Sequence, residues 1–524
     1  MFISAIEKSE RGEYMRKPCD LKKNTKFLTR GIRFISFVAV LALMIYALNR
    51  TLIPKYMFSN TTEPTTSGFT GFYEMERNSI DVLFFGSSHM GSAVNPQDIY
   101  NESGIRSYNL ASGGQPIWAS YYLLREALNY QSPKVVVLDC YYLFSDVVQV
   151  ADEENIRKLF INMKNGSVKT DAIMTAFSYN EEQTYLSNTF TNIRFHERWT
   201  ELSEEDFTWL EEDVGKNAKG FFKRWYTCGD EAFTPLDCDY SEITPEELDA
   251  DAVGYLLEML TLCEEENIEL ILIKTPSYAE TAERHVAIQN LADCYGLKFY
   301  DFNTKELYQT IGFDFATDMN DSSTGSTSNG HANISGARKM SVFLADELSG
   351  VNGLEPVVDS QWEDSKEFNE HCWQNFTLVN EEDLLTYLDL IDEDRYSIFI
   401  SVKDDAANSL NNEIVAAMQN LGFEFNLSGC YRWSYLAVRD EGGITELLGE
   451  EELSDEGALR NGRETYFITS AGFSSGNESS IVIGGEERSL NSTGLNIVVY
   501  DNEMGLVIDS VCFNTYDPAW TATR

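Results

Sequence analysis

The chain has 524 residues, of which 43% are hydrophobic and 13% aromatic, so it can bury more than one core and is not a disordered protein. Its formal net charge of −44 argues against binding nucleic acid or another polyanion by simple attraction, and it leaves neutral glycans open as ligands. We expect two or three folded domains.

The N-terminal region predicts a membrane anchor. The first 33 residues carry nine Lys and Arg against four acids, and the 20 residues 34–53 that follow are mostly apolar. This stretch crosses a bilayer if Arg50 extends to the interface. Because a basic flank stays in the cytoplasm, the sequence predicts a cytoplasmic tail over 1–33, a single-pass anchor in the cell membrane, and an extracellular remainder that begins with a stalk over 54–78. A cleaved signal peptide is disfavoured, since the stretch ends without a small-x-small site.

An α/β pattern occupies residues 79–350. Short apolar runs alternate with helix-length segments, which is typical of a parallel sheet covered by helices. The acidic and aromatic residues 146–245 interrupt this pattern and predict a helical insertion over the active face. The predicted strands are 81–85, 106–110, 134–138, 269–273 and 297–300, and the predicted helices are 118–130, 245–266, 279–295 and 335–348.

A second pattern follows. The acidic residues 351–373 predict a linker, and residues 374–524 predict a smaller, β-rich α+β domain with a helix at 412–421. The turn 501–505 is expected to join the last two strands as a hairpin. The predicted strands are 396–402, 435–438, 465–469, 480–484, 495–500 and 505–513.

Three polar turns in the α/β region suggest chemistry. The first predicted strand ends abruptly at Gly86-Ser87-Ser88-His89, and such a turn lifts a hydroxyl to the rim of the sheet, where a nucleophile meets substrate. A glycine-rich turn, 109–115, follows the second strand. The segment 330–339, which contains His331, precedes the last helix.

In this order the three turns resemble the SGNH/GDSL esterase superfamily over about residues 78–350, and within it the bacterial DltD-like proteins and surface-polymer O-acetyltransferases. The resemblance implies an SGNH-type three-layer fold, with Ser88 as nucleophile and His331 as the base that removes its proton. The backbone N–H groups of Ser88 and Gly113 are the oxyanion candidates. The superfamily's third donor, an Asn, is missing, because the strand end here carries Asp139; DltD-like relatives lack it too.

The acid partner of His331 is a departure from the superfamily. Relatives place an Asp three residues before the His, where this chain has Ser328. Asp321, which precedes a Ser/Thr/Gly-rich loop, is the first candidate and Asp318 the second; the alternative is a Ser-His dyad. Further candidates for the pocket are His89, which is expected to pack, His196, which either lines the pocket or makes a structural hydrogen bond, and Asn333.

A second resemblance covers about residues 374–517. The segments 400–406, 494–499 and 509–517 resemble the interleukin-like EMT inducer (ILEI, PANDER-like) domain. Because relatives of that domain include lectin-like modules, the resemblance implies either a glycan-binding module or a purely structural one.

No cofactor or metal is predicted, since no C-x-x-C or His-Cys cluster suggests zinc. Eight cysteines fall outside the membrane, as disulfides or as buried thiols, and the sequence does not give their pairing. The first hypothesis is a serine esterase or O-acyltransferase that acts on acyl esters, such as acetyl esters, of a cell-surface glycan or polymer. The resemblance implies a membrane-bound O-acyltransferase as partner. Hydrolysis and transfer share one acyl-Ser88 intermediate, so both stay open. The alternative is a noncatalytic glycan-binding protein on a degenerate SGNH scaffold.

Overall fold

The computed structural model describes residues 18–54, 69–144, 153–181, 184–207, 218–229, 234–278, 280–320 and 330–524. The chain divides into two compact units, one of residues 1–55 with 186–209 and the other of residues 56–185 with 210–524. The first unit contains helix α1, Pro18–Leu52. Its stretch Leu28–Asn49 has a mean hydropathy of 2.2 and is long and apolar enough to span a membrane. The second part of this unit consists of short helical segments, which are Tyr185–Thr189, Asn192–Phe195, His196–Thr200 and Glu204–Phe207.

The second unit contains a five-stranded sheet in the order β2-β1-β3-β4-β5, in which every neighbouring pair is parallel. This confirms the predicted parallel α/β fold. The strands are short, and the first four are almost completely buried, as expected when helices cover both faces. They are β1 (Val82–Phe85), β2 (Ser107–Asn109), β3 (Val135–Asp139), β4 (Glu269–Lys274) and β5 (Lys298–Asp301).

Alternate residues of β1 enter different cores, which makes the fold three-layered. Val82 and Phe84 pack on one face with helices α2 and α9, whereas Leu83 and Phe85 pack on the other with α4 to α8. The helices are α2 (Ser88–Ala93), α3 (Pro96–Ser103), α4 (Ile117–Ala127), α5 (Glu153–Asn162), α6 (Ser167–Tyr179), α7 (Ala250–Glu266), α8 (Ala282–Tyr295) and α9 (Ile334–Ser349). Short helices at Lys305–Thr310 and Phe315–Asp318 precede α9.

The segment predicted as a linker is largely helical. Ser360–Glu363 forms one turn, and α10, Lys366–Val379, follows it. Trp362 is fully buried in the α/β core, and Lys219 donates a 2.6 Å hydrogen bond to Ser365 Oγ. These contacts hold the segment against the α/β layer. Its acidic residues therefore belong to the solvated face of helices and not to an extended linker.

The C-terminal region forms a ten-stranded sheet, which confirms the predicted β-rich second fold. Strand β6 is central, and one sheet face packs on the helices Leu384–Leu390 and α11, Asn412–Asn420. The predicted hairpin is present, with Gly505 N donating to Asp501 O at 2.8 Å. The strands are β6 (Tyr396–Asp404), β7 (Ser434–Asp440), β8 (Gly443–Gly449), β9 (Leu453–Leu459), β10 (Glu464–Gly472), β11 (Glu478–Ile483), β12 (Glu486–Glu487), β13 (Gly494–Asp501), β14 (Leu506–Phe513) and β15 (Ala522–Thr523).

The eight cysteines from Cys140 to Cys512 are free thiols. This holds for Cys228 and Cys238, the pair nearest in sequence. Burial raises the pKa of the Cys372 thiol to about 11 and that of Cys263 to about 12, which keeps both protonated and unreactive at neutral pH.

Candidate active site

Ser88 stands at the carboxyl edge of the sheet, immediately after the central strands. Strand β1 ends at Phe85, and helix α2 begins at Ser88, capped by the Ser87 hydroxyl, which accepts from His89 N at 3.3 Å. The turn is very tight at Gly86: a Cβ there would lie 2.7 Å from the Cβ of Met90 and 2.9 Å from that of Asp139. Glycine is therefore needed to bring α2 this close to the end of β3.

His331 approaches Ser88 from the opposite end of the sequence. Its Nε2 lies 2.8 Å from Ser88 Oγ, which is hydrogen-bond distance for a base that accepts the hydroxyl proton. The His precedes α9, whose N-cap is Asn333. The Asn333 carboxamide accepts from Ser335 N and Gly336 N and donates to Thr317 O at 2.8 Å. Asn333, a pocket candidate from the sequence, thus fixes the turn that carries His331.

His89 packs directly behind the pair. Its ring stacks on His331 at a centroid distance of 4.5 Å and on Tyr141 at 4.1 Å, and Lys274 Nζ lies 4.9 Å from the centre of the Tyr141 ring. We call His89, Tyr141 and Lys274 the stacking column. Burial, with the charges of His331, Lys274 and Arg224, holds the pKa of His89 well below its ordinary value. A neutral imidazole therefore supports the plane of the His331 ring.

Buried charged side chains lie near the ends of β3 and β4, around Lys274 of the stacking column. Lys274 Nζ lies 2.7 Å from Glu280 Oε2, and both side chains are almost completely buried. Asp139 Oδ1 accepts from Thr275 N at 3.2 Å. Burial raises the pKa of Asp139 to about 6 and that of Glu280 to about 7, against the opposing charge of Lys274. One lysine thus faces two carboxyl groups whose pKa values are raised by burial toward neutral pH.

Of the two acid candidates, Asp318 is committed to the start of α9. Its carboxylate accepts from Ser335 Oγ at 2.7 Å, from Lys339 Nζ at 2.6 Å and from Asp314 N at 2.7 Å, and the side chain is fully buried. These contacts anchor the helix that follows His331. Asp321 belongs to the segment 321–329, outside the described residues.

The oxyanion candidates lie on neighbouring strand ends. Ser88 is the first residue of α2, so its N–H has no partner within the helix. Gly113 is in the turn after β2, which Ser112 N ties to Gly86 O at 3.3 Å. A Cβ on the next residue, Gly114, would lie 3.0 Å from the Asn155 amide nitrogen. The insertion therefore brings an Asn side chain to this turn, which the sequence did not reveal.

The end of the insertion also lies against the site. Phe222 N donates to Gly91 O at 2.8 Å, and Ile334 N donates to Arg224 O at 3.1 Å, so the segment 218–229 joins α2 to α9. Arg224 Nε donates to Ser92 Oγ at 3.3 Å. An arginine therefore lies beside the helix that begins with Ser88. No motif in the sequence around Arg224 indicated this position.

His196 lies in the other compact unit. It is exposed on the helical turn His196–Thr200, and its Nδ1 is 2.8 Å from Ile193 O. His196 therefore makes a hydrogen bond to the preceding helical turn. Within the part of the chain that the structure describes, no group of three His, Cys, Asp or Glu side chains is arranged to hold a metal ion.

Comparison with known proteins adds a family at the C-terminus and a likeness in fold. Residues 357–443 match the interleukin-like EMT inducer family model, which confirms that part of the sequence prediction. Among solved structures, the chain is similar to a proposed acylhydrolase from Bacteroides fragilis (13% identity, TM-score 0.24, 53% of this chain and 93% of that one). It is also similar to a GDSL-like lipase from Bacteroides thetaiotaomicron (12% identity, TM-score 0.24, 53% and 98%). These scores are too low to transfer residues or substrates. No curated protein sequence matches the chain.

Proposed function

We propose that the protein is a membrane-tethered serine esterase or O-acyltransferase that acts outside the cytoplasm on acyl esters of a cell-surface glycan. The observation that carries the proposal is the 2.8 Å contact between Ser88 Oγ and His331 Nε2. A scaffold that had lost its chemistry would have no need to hold these two side chains, 243 positions apart, in hydrogen-bond contact.

The reaction follows from the geometry. Ser88 Oγ attacks the ester carbonyl while His331 Nε2 takes its proton, and the backbone N–H groups of Ser88 and Gly113 receive the oxyanion. Collapse breaks the bond to the leaving alcohol, which takes the proton from His331 and leaves an acyl-Ser88 ester. A water or a sugar hydroxyl then attacks the acyl carbonyl while His331 takes its proton. The bond to Ser88 Oγ breaks, that oxygen receives the proton from His331, and the acid or the acylated sugar is released. The two outcomes differ only in the acceptor.

The stacking column gives His331 a fixed direction. His89 is neutral and packs against one face of the His331 ring, so the ring cannot tilt away from Ser88 on that side. Asn333 fixes the backbone of the same turn. Together they hold the base at reacting distance, the condition under which proximity lowers the barrier.

A membrane location and a glycan substrate have separate support. Helix α1 is long and apolar enough to anchor the chain, and we assign its basic end to the cytoplasm. In the C-terminal fold, the exposed rings of Tyr431 and Phe473 flank Arg432, whose guanidinium lies 3.8 Å from the centre of the Phe473 ring. Exposed aromatic faces beside a cationic donor suit stacking against a sugar. We propose this as the surface that holds the polymer, with a membrane-bound O-acyltransferase as the source of acyl groups for transfer.

The test pairs two neighbouring serines. Ser88→Ala is expected to lower hydrolysis of a small acetyl ester by roughly 10³-fold or more and to abolish labelling by a fluorophosphonate. Ser87→Ala is the matched control: it removes only the cap of α2, which costs about 1 kcal/mol of stability, and activity should stay within tenfold. A Ser88→Ala variant that keeps both activity and labelling would leave the noncatalytic glycan-binding hypothesis as the better one.

A further inference from the structure

The residues Leu186–Phe207, which we call the collar, pack around the end of α1 within one compact unit. Arg198 Nη1 donates to Leu52 O at 2.7 Å, and Arg198 Nη2 pairs with the buried Asp206 at 2.9 Å. Thr191 Oγ1 donates to Asn49 Oδ1 at 3.3 Å. The collar is therefore joined to α1 by charged and polar contacts as well as by packing of Leu52 and Phe195.

The collar also carries large apolar side chains that are exposed among the described residues. Five large hydrophobic side chains there keep between 50% and 71% of their surface exposed: Leu186, Phe190, Ile193, Trp199 and Phe207. They occupy 22 consecutive residues of the chain. An exposed apolar patch of this kind marks an interaction site, since it costs free energy in water.

The contacts with α1 place the collar beside the end of the apolar span of that helix. The apolar span of α1 ends at Asn49, the residue that Thr191 contacts, and Arg198 binds Leu52, only three residues or about 4.5 Å further along the helix. If α1 crosses the membrane as proposed, the collar stands where the helix leaves the hydrocarbon. Tryptophan and phenylalanine prefer this interfacial region.

We propose that the collar inserts these five side chains into the outer interface of the bilayer that α1 spans. The attraction is apolar, because the collar carries two arginines against five acidic residues and gains nothing from anionic lipid. The occupant is therefore a zwitterionic phospholipid surface.

The insertion changes how the catalytic unit is tethered. The chain enters the collar after Tyr185 and leaves it before 210, so it passes between the two compact units at 55/56, 185/186 and 209/210. The collar is thus connected to the catalytic unit at two points of the chain, in addition to the connection that follows α1.

Trp199 provides the probe. The full-length protein is reconstituted in nanodiscs of phosphatidylcholine with bromine on shallow acyl-chain carbons, which quenches nearby tryptophan. We expect the emission to be quenched in the wild type and this quenched component to disappear in Trp199→Phe. Trp433→Phe, in the C-terminal fold, is the matched control and should leave the component in place. A double variant, Phe190→Asp with Ile193→Asp, should expose Trp199 to water and weaken the quenching at least twofold.

Several results would overturn the proposal. If Trp199 is not quenched while the protein co-elutes with nanodiscs, the anchor stands but the patch faces a protein partner or water. If the protein does not co-elute at all, the anchor and the collar proposals both fail. If quenching appears only when phosphatidylglycerol is added, the attraction is electrostatic and the apolar account is wrong. Unchanged activity of Trp199→Phe on a soluble ester shows that the catalytic site is intact in the variant.

Discussion

Gly86 gives a quantitative test of how closely Ser88 must be placed. Substituting alanine puts a Cβ 2.7 Å from Met90 Cβ and 2.9 Å from Asp139 Cβ, whereas ordinary contacts begin at 3.4 Å. Something must move by 3.4 − 2.7, about 0.7 Å. Asp139 ends a strand paired on both sides, so α2, which carries both Met90 and Ser88, is the element that shifts.

A shift of this size should cost activity more than folding. Displacing a reacting group by about 1 Å lowers the rate by roughly 10²-fold, so Gly86→Ala should lose between tenfold and 10²-fold in kcat/KM on a small acetyl ester. Overpacking costs about 1–3 kcal/mol, which a thermal melt will register as a modest fall in Tm.

The control is Gly166→Ala, since a Cβ at that position meets nothing within 4 Å. It should leave both the rate and Tm close to those of the wild type. A Gly86→Ala variant with lowered Tm but a rate within twofold of wild type would refute the reasoning, because the strain would then be relieved without moving Ser88.

Substitutions at three further places test the remaining proposals. His89→Phe keeps a neutral stacked ring and should retain most activity and an unchanged pH profile, whereas His89→Ala removes the support of His331 and should lower kcat by about tenfold. Because the pKa of Asp139 is raised from 3.8 to about 6, wild-type stability falls with rising pH between these values; Asp139→Asn should lack this loss, worth about 1 kcal/mol between pH 5 and 7, and melts at the two pH values will show it. Tyr431→Ala with Phe473→Ala should lower action on native polymer but leave small-ester hydrolysis unchanged; equal losses on both would contradict the assigned surface.

The parallel sheet could be predicted because four of its five strands are buried on both faces. Such strands appear in the sequence as uninterrupted apolar runs, as in β1 and β3. Ser88 and His331 could be proposed as candidates because each adjoins an element boundary, one after a strand and one before a helix. The contact between them, however, depends on the whole topology and is visible only in the structure.

Other elements could not be predicted from the sequence. Strands β8 and β9 were missed because they are largely exposed and carry Glu and Asp in place of an apolar pattern. The helices around Trp362 were predicted as a linker because their exposed face is acidic. In both cases a partner elsewhere in the fold stabilises the element, and local composition does not report that partner.

The stacking column shows why the site was only partly foreseen. Tyr141 follows β3, Lys274 ends β4, and His89 lies in the first turn of α2, so no local motif links them. Parallel strands bring their carboxyl ends to one edge, which makes residues at these ends the ones to inspect. The signal available in the sequence was the presence of a Lys and a Tyr at the ends of adjacent predicted strands.

The column also bears on the acid partner of His331. When His331 takes the proton of Ser88 it becomes a cation, and a nearby carboxylate would stabilise it. The charged groups beyond His331 that lower the pKa of His89 are Lys274 and Arg224, which are positive and offer the imidazolium no support. Asp318 is occupied by Lys339 and the start of α9. Asp321, in the segment that precedes Gly330, stays the proposed acid, with a Ser-His dyad as the alternative.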